Sequence, residues 1–177
     1  MKKVFLSVAV IAAAIGANAQ TKKTVDNPFK FSIGAEVAAP VGDFGDSYKV
    51  GFGGSLQADY SVAPELSLNV NAGYLTFAGK SQTITVPGGS ITFKPENFSI
   101  IPVLGGIRYN FTPQFYGSAQ LGAAFSTEKN GKTSFTYAPG IGYKFSENVD
   151  ALLKYTGYDQ KNTSTSSTIG LRVAYTF

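Results

Sequence analysis

The chain has 177 residues, no cysteine, no histidine and a formal net charge of +4. Without cysteine the chain cannot form disulfide bridges, and without cysteine and histidine it lacks the usual zinc ligands. It also lacks histidine, the commonest general base in enzymes. We therefore expect no cofactor, no metal site and no histidine-dependent catalysis. The basic residues do not cluster with aromatic residues, so no nucleic-acid partner is expected.

The first nineteen residues have the pattern of a secretory signal peptide. Two lysines precede an apolar run over residues 4–15, and Ala17 and Ala19 form a small-residue cleavage site. The run is shorter than the roughly 20 residues that a membrane-spanning helix requires. We therefore predict that residues 1–19 are removed on export and that the polar residues 20–28 form an N-terminal tail.

From residue 29 onward, apolar residues alternate with polar or small residues. A period of two places apolar side chains on one face of a β-strand and polar side chains on the other. Eight segments have this pattern, namely 29–38, 50–62, 66–74, 101–111, 115–126, 135–145, 150–156 and 167–177. The alternation is weakest in the fourth segment.

The connections between these segments alternate between long and short. The long ones are 40–49, 78–97, 127–132 and 159–166, and the short ones are 63–65, 112–113 and 147–148. Outer-membrane barrels have short periplasmic turns and longer external loops. The predicted fold is therefore an all-β, eight-stranded antiparallel up-and-down transmembrane β-barrel over residues 29–177, with both termini in the periplasm.

The second long loop contains a further strand signal. Two short alternating runs, 83–86 and 90–93, flank the turn sequence Pro87-Gly88-Gly89. This arrangement predicts a β-hairpin that extends the third and fourth strands above the membrane.

Aromatic residues on the outward parity gather beside the short turns and the termini. They are Phe29, Phe31, Tyr60, Tyr109, Phe111, Phe115, Tyr143, Phe145, Tyr175 and Phe177. An ordinary aromatic sheet core would explain each residue singly but not their position at one end. Because amphipathic rings favour the membrane–water boundary, we predict an aromatic girdle on the periplasmic side.

The chain ends on an alternating strand whose final residue is Phe177. This ending resembles the C-terminal assembly signal of bacterial outer-membrane barrels, which closes with an aromatic residue. The resemblance implies that the barrel-assembly machinery reads Tyr175 and Phe177.

Charged residues lie on the inward parity of the predicted strands. They are Lys30, Glu36, Asp59, Arg108, Lys144, Asp150, Lys154 and Arg172. An eight-stranded barrel is just wide enough for its side chains to fill, and a buried ion must be paired or hydrated. We predict a lumen charge network of Glu36, Asp59, Arg108, Lys144, Lys154 and Arg172. It forms either a structural polar plug or a narrow path for water or ions.

The sequence predicts no catalytic residue. A serine nucleophile normally depends on a neighbouring general base, most often histidine. The external-loop acids are interpreted as solvated charge: Asp43, Asp46, Glu96, Glu128 and Asp159. The glycines of residues 51–54 open a strand and not a helix, so they do not form a nucleotide-binding motif.

From residue 29 to residue 177, the chain resembles the porin-like outer-membrane β-barrel domain family and, in architecture, the small OmpA/OmpX-type barrels. The resemblance implies a non-enzymatic, monomeric protein that is surrounded by outer-membrane lipid in a Gram-negative-type bacterium.

Two functions are compatible with this resemblance. One is an envelope protein that is structural or presents its external loops for adhesion or partner binding, with the ligand unknown. The other is a narrow porin-like channel for small solutes or ions. A soluble ligand-binding barrel such as a lipocalin would place the apolar parity inside. The terminal Phe177, the aromatic girdle and the loop alternation favour the membrane barrel.

Overall fold

The computed structural model describes residues 28–86, 89–93, 95–128, 131–160 and 165–177. The predicted signal peptide with its cleavage residues Ala17 and Ala19, and residues 20–27 of the predicted tail, lie outside this set. Within the described residues, none of the helices has the length and apolarity to cross a membrane.

Strands account for most of the described chain. In chain order the elements are β1 (Phe29–Val41), α1 (Asp43–Ser47), β2 (Tyr48–Ser61), β3 (Leu66–Gly79), β4 (Gln82–Val86), β5 (Gly89–Phe93), β6 (Phe98–Asn110), β7 (Phe115–Ser126), β8 (Thr133–Lys144), β9 (Val149–Asp159) and β10 (Ser166–Thr176).

Eight strands close into an antiparallel barrel in the order β1-β10-β9-β8-β7-β6-β3-β2. The predicted fold class is confirmed. The last strand closes the barrel against the first, and Glu36 pairs directly with Arg172 across this seam. The amide of Phe177 donates a hydrogen bond to the carbonyl of Phe31 at 2.9 Å, which extends the seam to the last residue.

The alternation of the sequence corresponds to the two faces of the barrel wall. Burial alternates residue by residue along β1, where Ser32, Glu36 and Ala38 face the interior. Apolar residues of the opposite parity lie outside, and Leu56 and Ile141 remain 63% and 65% exposed. An apolar surface of this extent requires lipid around it. The soluble-barrel alternative, with the apolar face inside, is therefore wrong.

Two of the three short turns use hydroxyl side chains to hold the chain reversal. The amide of Phe115 donates to the hydroxyl of Thr112 at 2.9 Å, and the amide of Val149 donates to the hydroxyl of Ser146 at 3.1 Å. Hydroxyl side chains hold such turns by accepting hydrogen bonds from amides a few residues further along the chain. These tight reversals fix the register of the hairpins that they join.

Two features of the loop end differ from the sequence prediction. The helix α1 was not predicted, and it occupies the first long loop. The hairpin β4–β5 forms as predicted but pairs as a separate two-stranded sheet, so it does not extend β3 and β6. Pro95 lies between β5 and β6, and a residue without an amide hydrogen cannot continue the ladder.

Candidate functional site in the barrel lumen

Inward side chains fill the lumen in layers that differ in chemistry. From the loop end to the turn end, we define the apolar mouth (Ala38, Leu75, Phe77, Ile100, Ala124, Tyr158), the central ion cluster (Glu36, Lys154, Arg172), the amide belt (Gln57, Asn69, Asn71, Gln120) and the lower cluster (Asp59, Arg108, Tyr116, Asp150). These layers contain five of the six residues predicted for the lumen charge network.

The central ion cluster places one carboxylate between two cations. Glu36 Oε2 lies 2.8 Å from Lys154 Nζ, and Glu36 Oε1 lies 3.9 Å from Arg172 Nε. Arg172 is fully buried and also donates to Ser55 Oγ at 2.8 Å and Ser32 Oγ at 3.0 Å. Buried charges require such partners because their desolvation is costly. The cluster therefore ties β10 to β1, β2 and β9.

The amide belt crosses the lumen from β2 to β7. The side-chain nitrogen of Gln57 donates to both carboxylate oxygens of Asp59 at 3.1 and 2.9 Å. Its oxygen accepts hydrogen bonds from Asn71 and Gln120, both at 3.3 Å. Gln120 also donates to Asn69 Oδ1 at 2.8 Å. Side-chain amides carry donors and acceptors together, so they form a continuous network across this narrow interior.

The lower cluster combines an ion pair with a cation–π contact. Arg108 Nε lies 3.6 Å from Asp59 Oδ1, and its guanidinium carbon lies 4.4 Å from the centre of the Tyr116 ring. The Tyr116 hydroxyl in turn donates a hydrogen bond to Asp150. Arg108 thus has an acid on one side and an aromatic face on the other.

Lys144, the sixth predicted residue, lies at the turn end beside the lower cluster, opposite Asp150 in the pairing of β8 with β9. Its ammonium donates to the neutral Asn110 Oδ1 at 2.7 Å and lies 6.0 Å from the Tyr116 ring centre. Lys144 is half-buried, and Lys30 is exposed. The turn end of the lumen is therefore more open to solvent than the layers above it.

Glycines make room for the largest inward side chains. Gly142 pairs directly with Tyr116 across β7 and β8, and a Cβ at this position would overlap the tyrosine ring. A Cβ at Gly34 would lie 2.6 Å from Arg172 Nε. In both places the absence of a side chain lets a bulky neighbour lie flat against the barrel wall.

The apolar mouth is the layer that the sequence analysis missed. Leu75 and Phe77 on β3, and Phe98 and Ile100 on β6, occupy the inward parity, where polar residues were expected. This break in parity at the loop ends of both strands was the signal that could have identified the mouth. Among them, Phe77 is fully buried and Phe98 is half-buried.

The helix α1 covers this mouth. The Phe44 ring centre lies 5.2 Å from that of Phe77 and 5.8 Å from that of Phe98, both in edge-on geometry. Tyr48, the first residue of β2, packs 5.0 Å from Phe44. Aromatic pairs favour edge-to-face contacts at these separations. The lumen thus contains apolar rings at the loop end and charged and amide side chains below them.

The residues of the predicted aromatic girdle form a band of exposed rings at the turn end. Phe177 is 75% exposed, and its ring centre lies 5.4 Å from that of Tyr175. Similar contacts join Phe115 to Tyr143 at 4.9 Å.

Among the described residues, no group of acids could hold a metal ion.

Comparison with known families gives a match over nearly the whole chain. The family model for the outer membrane protein beta-barrel domain matches residues 6–177. Among curated proteins, no sequence matches the chain.

Solved structures share the fold at low sequence identity. The attachment invasion locus protein Ail of Yersinia pestis has a TM-score of 0.55 at 18% identity, over 84% of this chain and 97% of Ail. The N-terminal β-barrel domain of OprF from Pseudomonas aeruginosa has a TM-score of 0.51 at 18% identity, over 84% of this chain and 97% of that domain. A de novo designed transmembrane β-barrel has a TM-score of 0.51 at 18% identity, over 87% of this chain and all of the design.

Proposed function

The chain belongs to the outer membrane protein β-barrel family, and on this premise we propose that it is a non-enzymatic envelope protein with a closed lumen. In this proposal the barrel is a scaffold that holds the external loops at the cell surface. The loops provide the surface for adhesion or for a binding partner.

The observation that carries the proposal is the continuous filling of the lumen. Arg172 is fully buried at the level of the central ion cluster, and Phe77 is fully buried in the apolar mouth. An eight-stranded barrel has little interior space beyond what its side chains occupy. A path for solutes would therefore require several paired side chains to move together.

The external loops support the second half of the proposal because they contain ordered elements of their own. The helix α1 occupies the first long loop and the hairpin β4–β5 the second. Surface loops that a rigid scaffold holds in place commonly carry binding function. Neither element is needed to close the barrel, since β3 pairs directly with β6 and β1 with β2.

Conductance across a planar lipid bilayer tests the closed lumen. We expect the intact protein to produce no steady current steps and Arg172→Met to produce a measurable leak. Leu171→Met is the matched control, because Leu171 is the adjacent residue of β10 and faces outward. Large steady steps from the intact protein would refute the closed lumen.

One observation favours the narrow channel as the second candidate. Three buried donor atoms, Asn69 Nδ2, Arg108 Nε and Arg172 Nη1, have no hydrogen-bond partner among the described residues. Buried donors of this kind are commonly satisfied by internal water. A narrow channel for small ions requires a continuous file of such waters past these donors, and the same bilayer experiment would detect its current.

A further inference from the structure

The helix α1 and the aromatic residue that it carries form a discrete cover over the apolar mouth. Phe44 contacts two rings of the barrel, Phe77 and Phe98, and one ring at the start of β2, Tyr48. Phe77 is fully buried beneath this cover, whereas Phe44 itself is only half-buried. Removing Phe44 would therefore expose apolar surface inside the mouth to water.

The helix is held in place by few interactions besides Phe44. It has five residues, none of them buried, and no side chain caps its N-terminus. A helix of this length is not stable by itself. Lys80 contributes two hydrogen bonds, because its amide donates to the Ser47 carbonyl at 2.9 Å and its ammonium donates to the Gly45 carbonyl. The Tyr48 ring that follows the helix also packs on the barrel, 5.6 Å from the centre of the Phe98 ring.

Both ends of α1 join the barrel through irregular backbone. Gly42 precedes the helix with φ of 62°, a conformation that favours glycine, and a Cβ there would meet nothing within 4 Å. On the other side, the pairing of β2 with β3 shifts register between Tyr48 and Gly51. Residues 43–47 between these two points have no partner in the strand ladders, so their movement would break only the backbone hydrogen bond from Lys80 to Ser47.

We propose that residues 43–47 form a hinged lid whose latch is Phe44 and whose tether is Lys80. In the open state the apolar mouth is accessible from the cell surface down to the central ion cluster. That cluster remains closed, so opening of the lid admits small molecules to the mouth without admitting ions to the lumen. Only this last statement rests on the closed lumen that we propose above.

The absence of cysteine from the sequence gives a direct test, since one introduced thiol is the only thiol. Ala124 lines the mouth and is 2% exposed. In the refolded protein, we expect Ala124→Cys to react slowly with a water-soluble maleimide and at least tenfold faster when combined with Phe44→Ser. Combination with Phe44→Leu, which retains an apolar latch, should keep the reaction slow.

The position of the thiol provides the control. Ala174 is equally buried but lies on the turn side of the central ion cluster. The reaction of Ala174→Cys should not change with Phe44→Ser. Equal rates for Ala124→Cys with and without Phe44→Ser would overturn the lid, as would fast labelling while Phe44 is intact. If Phe44→Ser does not refold, Lys80→Met replaces it and should accelerate the labelling of Ala124→Cys, because it removes the ammonium bond to the Gly45 carbonyl and leaves only the backbone bond to Ser47.

Conductance separates this inference from the proposed function. We expect Phe44→Ser to remain silent in a planar bilayer, because the central ion cluster still closes the lumen. Steady current from Phe44→Ser but not from the intact protein would overturn the statement that the open lid excludes ions. Current from the intact protein would refute the closed lumen, while the labelling rates would still decide whether the lid exists.

Discussion

Two lysines on the inward face allow the energy of the central ion cluster to be measured with one substitution. Lys154→Met and Lys144→Met remove the same charge and replace it with the same side chain. Lys154 is buried and lies 2.8 Å from the buried carboxylate of Glu36. Lys144 is half-buried and donates to the neutral Asn110.

The expected costs follow from what each substitution leaves behind. Removing one partner of a buried ion pair costs about 3–5 kcal/mol. Glu36 would retain Arg172, but only at 3.9 Å, so we expect the lower value of about 3 kcal/mol for Lys154→Met. Lys144→Met loses one hydrogen bond to a neutral group near solvent, which is worth about 1 kcal/mol. The difference of about 2 kcal/mol corresponds to roughly thirtyfold in the unfolding equilibrium.

Urea unfolding of the refolded barrel in detergent micelles, followed by the heat-dependent shift in gel mobility, provides the measurement. The m-values of the three proteins should agree, so that the midpoints report free energies of unfolding. If Lys154→Met and Lys144→Met lower the free energy of unfolding equally, the ion pair of Lys154 with Glu36 stabilises the barrel no more than the half-buried hydrogen bond of Lys144 does. That result would refute the reasoning about the central ion cluster.

Three further predictions concern the barrel wall, its assembly and its loops. Gly142→Ala should cost about 2 kcal/mol in the same urea assay, because its Cβ overlaps the Tyr116 ring. Gly105→Ala is the control, since its nearest neighbour would lie 3.8 Å away, and equal losses would contradict the packing argument. Deletion of Phe177 should lower the amount of protein in the outer membrane more than it lowers the stability of the refolded barrel. Equal outer-membrane amounts would exclude a role in assembly. Replacement of residues 82–93 by a glycine–serine linker should change the free energy of unfolding by less than about 0.5 kcal/mol, and a larger loss would show that the hairpin supports the barrel.

The faces of the strands could be predicted because the alternation of side chains is a local property of the backbone. Arg172 stands between two apolar residues of β10, and this neighbourhood alone placed it on the inward face. The contacts of Arg172 could not be predicted in the same way. They depend on the stagger between strands, which sets Glu36 opposite Arg172 and brings Lys154 to the same level.

The loop ends of the strands were harder to predict because there the parity rule breaks. The predicted third strand ended at residue 74, whereas β3 continues to Gly79 with Leu75 and Phe77 turned inward. Apolar residues on the polar face are favourable at this level because they pack against one another across the lumen and because Phe44 covers them from another loop. The contact with Phe44 forms only once the barrel has closed, so the residue pattern of a single strand does not reveal it.

The seam between β1 and β10 has a consequence for biogenesis. Its two partners come from opposite ends of the chain, and Arg172 and Ser32, which meet there, are 140 positions apart. Contacts so distant in sequence form slowly, since the loop-closure entropy is lost before the contact is made. Until β10 arrives, β1 and β9 each have an unpaired edge, and such edges promote aggregation. We therefore expect the exported chain to depend on periplasmic chaperones that hold it unfolded, and closure of the seam to be the last and most cooperative step of its maturation.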